Sequence, residues 1–165
     1  MNKLATILLI SITIVMTSCK PSAEYPKNQD GTITWLDINQ AASLANNSEK
    51  LYFVDVYTDW CHWCKVMDKK TFTDPAVIQF MEDHFHNIKF NAEQTDMVTW
   101  NNKEYVYQPG GRRGLHGLAP VLLKNRLSYP SFAILDKDRN PIKVLVGYKK
   151  PEQLLAELGP MIKKS

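Results

Sequence analysis

Unbroken apolar runs alternate with stretches of helical spacing along this chain. "LYFVDVY", Leu51 to Tyr57, is apolar except for Asp55. A short run of that kind predicts a buried β-strand. "TITWL" (Thr32 to Leu36), "NIKFNAE" (Asn87 to Glu93), "SFAILD" (Ser131 to Asp136) and "IKVLVG" (Ile142 to Gly147) also read as strands. The polar "KDRN" between the last two suits a hairpin.

Helical spacing marks the segments between. After Asp37, a capping residue, "INQAASLANN" places Ile38, Ala41, Ala42 and Ala45 on one face. "CHWC" lies just past the end of the Asp55 strand, and a helix is expected to start there and run through "KVMDKKTF". "TDPAVIQFMEDHF" begins another, with Asp74 as cap and Pro75 in the first turn. "PEQLLAELGPMIKK" aligns Leu154, Leu155, Leu158 and Ile162. Residues 94–128 follow neither rhythm. Within them "LHGLAPVLLKN" spaces Leu115, Leu118, Leu122 and Leu123 as a helix would, with Pro120 starting or kinking it. The order β-α-β-α-α-β, insertion, β-β-α points to an α/β layered sheet.

The chain's beginning reads differently. A basic start precedes Leu4 to Met16, an uncharged apolar run of 13 residues, and then "MTSC". The run matches a signal-peptide core and is short for a membrane span. Small residues ahead of Cys19 resemble the lipobox of bacterial lipoproteins. That resemblance implies cleavage before Cys19, lipid attachment to it, and a membrane-anchored exported protein. Residues 1–18 are then the signal, 19–31 a polar tether, and 32–165 the folded domain. At 165 residues, 44% hydrophobic and 22% charged, one domain with a real core is expected. The net charge of +3 is no argument for nucleic acid. "PGGRRG" lacks the Lys-Ser/Thr ending of a phosphate-binding loop.

With Cys19 assigned to lipid, two thiols remain, Cys61 and Cys64. A strand that feeds a helix puts Cys61 at the helix N-terminus, where free amides and the helix dipole favour a thiolate. Cys64 is one turn further on, within disulfide reach. Attack by Cys61 and resolution by Cys64 is the redox reading. A structural disulfide is one alternative, although so short a loop removes little chain entropy. A metal site using His62 with both cysteines is another, but a structural zinc site needs four ligands. His84, His86 and His116 read as surface or capping residues.

"FVDVYTDWCHWCK" resembles the active-site segment of the thioredoxin superfamily. Trp60 precedes the first cysteine and Lys65 follows the second. Asp55 stands where thioredoxins bury a carboxylate, and Lys89 matches the lysine beside it. Pro130 in "SYPSF" matches the cis-proline that faces the dithiol, and Gly147 a glycine on the last strand. "TFTDPAV", Thr71 to Val77, is similar to the segment after the active site in the C-terminal domain of the disulfide interchange protein DsbD and in related lipoprotein thioredoxins.

The resemblance implies a mixed central sheet with flanking helices, and an insertion of about 94–128 before the cis-proline. It implies catalysis by Cys61 and Cys64 without organic cofactor or metal. Asp55 would exchange a proton with Cys64, supported by Lys89 and walled by Trp60. Tyr129 and Pro130 would dock an extended substrate strand, with Trp63 and His62 at the contact. Partners would be exported proteins bearing thiols or disulfides, and an upstream membrane redox partner. Such a protein would face the periplasm or the cell exterior, and would work more as a reductase or isomerase than as a bulk oxidant. A non-catalytic binding module and a metal-delivery lipoprotein are the rival functions.

Overall fold

The computed structural model describes residues 28, 30–44 and 49–162. The signal run, Cys19 and most of the tether lie outside these residues. Five strands form one sheet: β1 (Trp35–Asp37), β2 (Leu51–Tyr57), β3 (Phe85–Asn91), β8 (Ser131–Leu135) and β9 (Pro141–Val146), in the order β1-β3-β2-β8-β9. β1 and β2 run parallel to β3, whereas β8 runs antiparallel to both β2 and β9. The sheet is mixed, as expected. The "TITWL" strand is shorter than its sequence pattern, because only Trp35–Asp37 finds a partner in β3.

Helices cover both faces. α1 (Ile38–Ala42) starts on a reciprocal cap: Asp37 accepts from the Asn39 N–H, and Gln40 Oε1 accepts from the Asp37 N–H. α2 (His62–Lys70) starts at Cys61. α3 (Pro75–His84) starts at Asp74, whose carboxylate accepts from the N–H groups of Ala76 and Val77. α5 (Pro151–Ile162) closes the domain. Phe53, Phe132, Met67, Phe72, Val77, Met81, Leu154 and Leu158 pack together on one face of the sheet. Val54, Val56, Ala133, Ile38 and Phe90 pack on the other. The alternation follows from the strand period of two: along β2, neighbours feed opposite cores.

The insertion is ordered, and its structure departs from the sequence reading. It holds two small hairpins, β4 (Val98–Trp100) with β5 (Lys103–Tyr105) and β6 (Tyr107–Gln108) with β7 (Leu115–His116), then a single helical turn, α4 (Ala119–Leu122). Leu115 sits in a strand, so the expected helix over "LHGLAPVLLKN" shrinks to one turn behind Pro120. Leu118, Leu122 and Leu123 still point together, into the core they share with Val98 and Trp100. Tertiary burial, not helical continuation, explains their spacing. His116, read as a surface or capping residue, is buried: Nδ1 accepts from the Leu118 N–H and the ring meets Phe90 edge-on.

Gly147 follows β9 with φ +83°, and its N–H donates to the Pro130 carbonyl at 2.8 Å. Left-handed backbone favours glycine, although a Cβ there would meet nothing within 4 Å. Gly147→Ala is therefore expected to cost about 1–2 kcal/mol through backbone strain alone. Urea denaturation checks this; an unchanged midpoint would show that the turn relaxes freely.

Candidate active site

β2 ends at Tyr57, the chain turns, and Cys61 becomes the N-cap of α2. Its Sγ accepts from the Cys64 N–H at 3.1 Å. Cys61 and Cys64 form a disulfide, with Cα atoms 5.3 Å apart. The sulfur that replaces a capping oxygen is thus already held by a helix-end amide. That is the arrangement that stabilises a thiolate once the disulfide opens. Both cysteines are nearly buried.

Asp55 lies in the middle of β2, directly opposite Lys89 on β3. Parallel neighbours in register project to the same face. Lys89 Nζ accordingly meets Asp55 Oδ2 at 2.5 Å. Lys89 also pairs with Asp68, on α2 one turn beyond Cys64. Its ammonium lies over the rings of Trp35, Phe72 and Tyr57, at 4.7, 5.3 and 5.4 Å from their centroids. Lys89 is therefore a paired cation, not a solvated one.

Electrostatics separate the two partners. Burial pushes the Asp55 carboxyl up to about 6, against the pull of Lys89. Burial also works against the Lys89 ammonium, but Asp55 and Asp68 outweigh it and hold its pKa above the ordinary value. Asp55 is fully enclosed, whereas the Lys89 side chain keeps 23% of its exposure and has two carboxylates. Among the described residues Asp55 Oδ1 has no hydrogen-bond partner, which leaves one oxygen able to carry a proton.

Two aromatic pairs flank the dithiol. Trp60, half exposed, meets Tyr129 edge-on with ring centroids 6.0 Å apart. The Tyr129–Pro130 peptide is cis. The residue before the first cysteine thus touches the residue before the proline, and the two segments share one surface. Trp63, also half exposed, lies against Tyr148 at 5.3 Å, and His62 sits edge-on to Trp63 at 5.7 Å. Among the described residues, no group of three His, Cys, Asp or Glu side chains could hold a metal ion.

Two elements were not foreseen. Asp68 lies four residues after Cys64, on the same helix face; that spacing was the available signal. Glu93 accepts from Trp60 Nε1 at 2.8 Å and pairs with Arg113 at 3.7 Å. No local spacing marks that contact, because 33 residues separate Trp60 from Glu93.

Known proteins share this architecture. A thioredoxin from Thermus thermophilus superposes with a TM-score of 0.59 at 17% identity, over 81% of this chain and 89% of its own. A DsbH oxidoreductase superposes at 0.57 and 12% identity, over 88% and 96%. At such identities the likeness establishes the fold, which is thioredoxin-like. The thiol:disulfide interchange protein DsbD of Salmonella typhi is 43% identical over 65 residues, 38% of this chain and 11% of DsbD. The chain spans only 11 to 12% of the length of the first curated relatives it matches. No described helix is long and apolar enough to cross a membrane. Residues 19–113, more than half the chain, match the family described as "Thioredox_DsbH: Protein of unknown function, DUF255", and the chain belongs to that family.

Proposed function

We propose that this protein is an exported, membrane-anchored thiol–disulfide oxidoreductase that reduces or isomerises disulfides in other exported proteins. The observation that carries the reading is the Cys61–Cys64 disulfide capping α2, on the face where Asp55 is buried. The likeness to DsbD and to a DsbH oxidoreductase supports it, as do the signal-like apolar run Leu4 to Met16 and Cys19 in the sequence.

In the reduced protein the Cys61 thiolate attacks a substrate disulfide. One substrate sulfur joins Cys61 and the other leaves as a thiolate that takes a proton. Cys64 then loses its proton and attacks Cys61 Sγ. The mixed disulfide breaks, Cys61–Cys64 forms, and the second substrate sulfur leaves reduced. Two electrons have passed to the substrate, and an upstream thiol donor at the membrane restores the dithiol. Asp55 takes the Cys64 proton, and Lys89, with Asp68, holds that carboxylate in place.

Cys64→Ser tests the proposal. This variant is expected to accumulate mixed disulfides through Cys61, visible as higher-mass bands on non-reducing gels that reductant removes, and identifiable by mass spectrometry. A wild type that reduces no protein disulfide, with a variant that traps none, would refute it. The low exposure of both cysteines favours one rival, a binding module whose disulfide stays closed. A reduction potential below about −300 mV with both thiols protected from alkylation would support that rival.

A further inference from the structure

A groove of about 470 Å³ opens beside the dithiol, lined by Trp60, Tyr129, Leu115, Glu93, Arg112 and Arg113. Its floor belongs to the active-site surface, since Trp60 adjoins Cys61 and Tyr129 adjoins the cis-proline. Its far wall is the "GGRRG" turn of the insertion.

That wall is built into the fold. The His116 N–H donates to the Ala92 carbonyl at 2.7 Å, and the Gly117 N–H to Val106 at 2.9 Å. Gly114 packs so tightly that a Cβ on it would lie 2.0 Å from Tyr107 Oη. The Arg113 guanidinium lies over the Trp60 ring, 5.4 Å from its centroid. The insertion thereby fixes one active-site tryptophan from above, while Glu93 holds its indole N–H from the side.

The charges in the groove do not cancel. Glu93 is the one lining acid, and it is already engaged by Trp60 Nε1 and Arg113. Arg112 is exposed and has no ion-pair partner among the described residues. The groove therefore offers an aromatic floor and one uncommitted guanidinium, a combination that fits a peptide carrying a carboxylate. An extended chain advances about 3.3 Å per residue. A peptide whose cysteine meets Cys61 and which crosses Trp60 would bring residues a few positions from that cysteine to the arginines.

We propose that this groove receives the acidic segment flanking the reacting cysteine of a partner protein, with an Asp or Glu of that segment paired to Arg112. The inference rests on the redox reading above and assigns it a substrate class: cysteines in an acidic neighbourhood.

The test uses the full chain and two nine-residue peptides with one central cysteine. One carries Glu and the other Lys at both positions three residues from the cysteine. As symmetric disulfides, they are offered to the reduced protein. The Glu peptide is expected to react about fivefold faster, the size of an exposed ion pair, and to lose that lead in high salt. Arg112→Glu should invert the ratio. The ratio is internal to each protein, so altered folding or stability does not mimic the result. A ratio near one in the wild type, or an unchanged ratio in Arg112→Glu, overturns the proposal. Serine-for-cysteine versions of both peptides probe the groove without redox chemistry. The Trp60 indole N–H resonance should move on adding the Glu peptide and hold still with the Lys peptide. If neither disulfide is reduced, the redox reading fails, and this resonance still decides the groove: movement with Glu alone upholds it, and equal or absent movement overturns it.

Discussion

With Cys61 replaced by serine, disulfide exchange is expected to fall to the uncatalysed background, a loss of at least about a thousandfold. The reason lies in where Cys61 sits. It is the N-cap of α2, and its sulfur already accepts a backbone N–H from Cys64 at 3.1 Å. Developing negative charge on that sulfur is met by a donor and by the positive end of the helix. A serine hydroxyl caps the helix equally well, so the helix survives. Its pKa, however, leaves no anion to attack sulfur near neutral pH. Losing the bridge removes only a tight four-residue loop, which contributes little chain entropy to stability. The variant should therefore melt close to the reduced wild type and remain folded but inert. Initial rates with a protein disulfide, beside a thermal melt, check both halves. Cys64→Ser should differ in kind, by attacking once and stalling as a mixed disulfide. If Cys61→Ser retained exchange while Cys64→Ser lost it, the roles of nucleophile and resolving thiol would have to be reversed.

The place of Cys61 at the head of α2 was legible in the sequence, because a strand, a CxxC and a helix follow in order and need only local rules. Asp37, Asp74 and Pro75 act where those rules place them. Asp55 stood out as one carboxylate in an apolar strand, and burial is what the fold imposes on it. What stayed hidden depends on contacts between distant segments. Asp68 reaches Lys89 only because α2 lies across β3. Glu93 meets Trp60 and Arg113 only because the insertion folds back over the active-site surface. The insertion's leucines misled for a related reason. Their spacing satisfies a helix, yet a turn, two short hairpins and a shared core bury them as well. Periodicity reports which residues seek burial, and tertiary packing decides the backbone that buries them.

Asp55→Asn is expected to raise stability at neutral pH and to slow exchange. The sign follows from the fold. Burial lifts the Asp55 pKa to about 6, whereas in the unfolded chain it titrates near 3.9. Below about pH 4 the carboxyl is protonated in both states and costs nothing. As pH rises through 6, the folded protein must carry a buried carboxylate that the unfolded chain carries in water. Wild-type stability therefore falls between about pH 4 and 6, by up to about 3 kcal/mol. Asparagine has no charge to bury, and Lys89 keeps Asp68 as its partner. The variant should thus equal the wild type near pH 4 and exceed it at pH 7.5. Denaturation with urea at those two values measures the difference. Activity should move the opposite way. Without a carboxylate to take the Cys64 proton, resolution is expected to slow by about a hundredfold at neutral pH. Its pH profile should shift from near 6 towards the ordinary thiol range near 8.5. Greater stability with an unchanged rate would make Asp55 a buried charge with no part in proton transfer. A variant no more stable at pH 7.5 than the wild type would mean that the Lys89 pair offsets the burial in full.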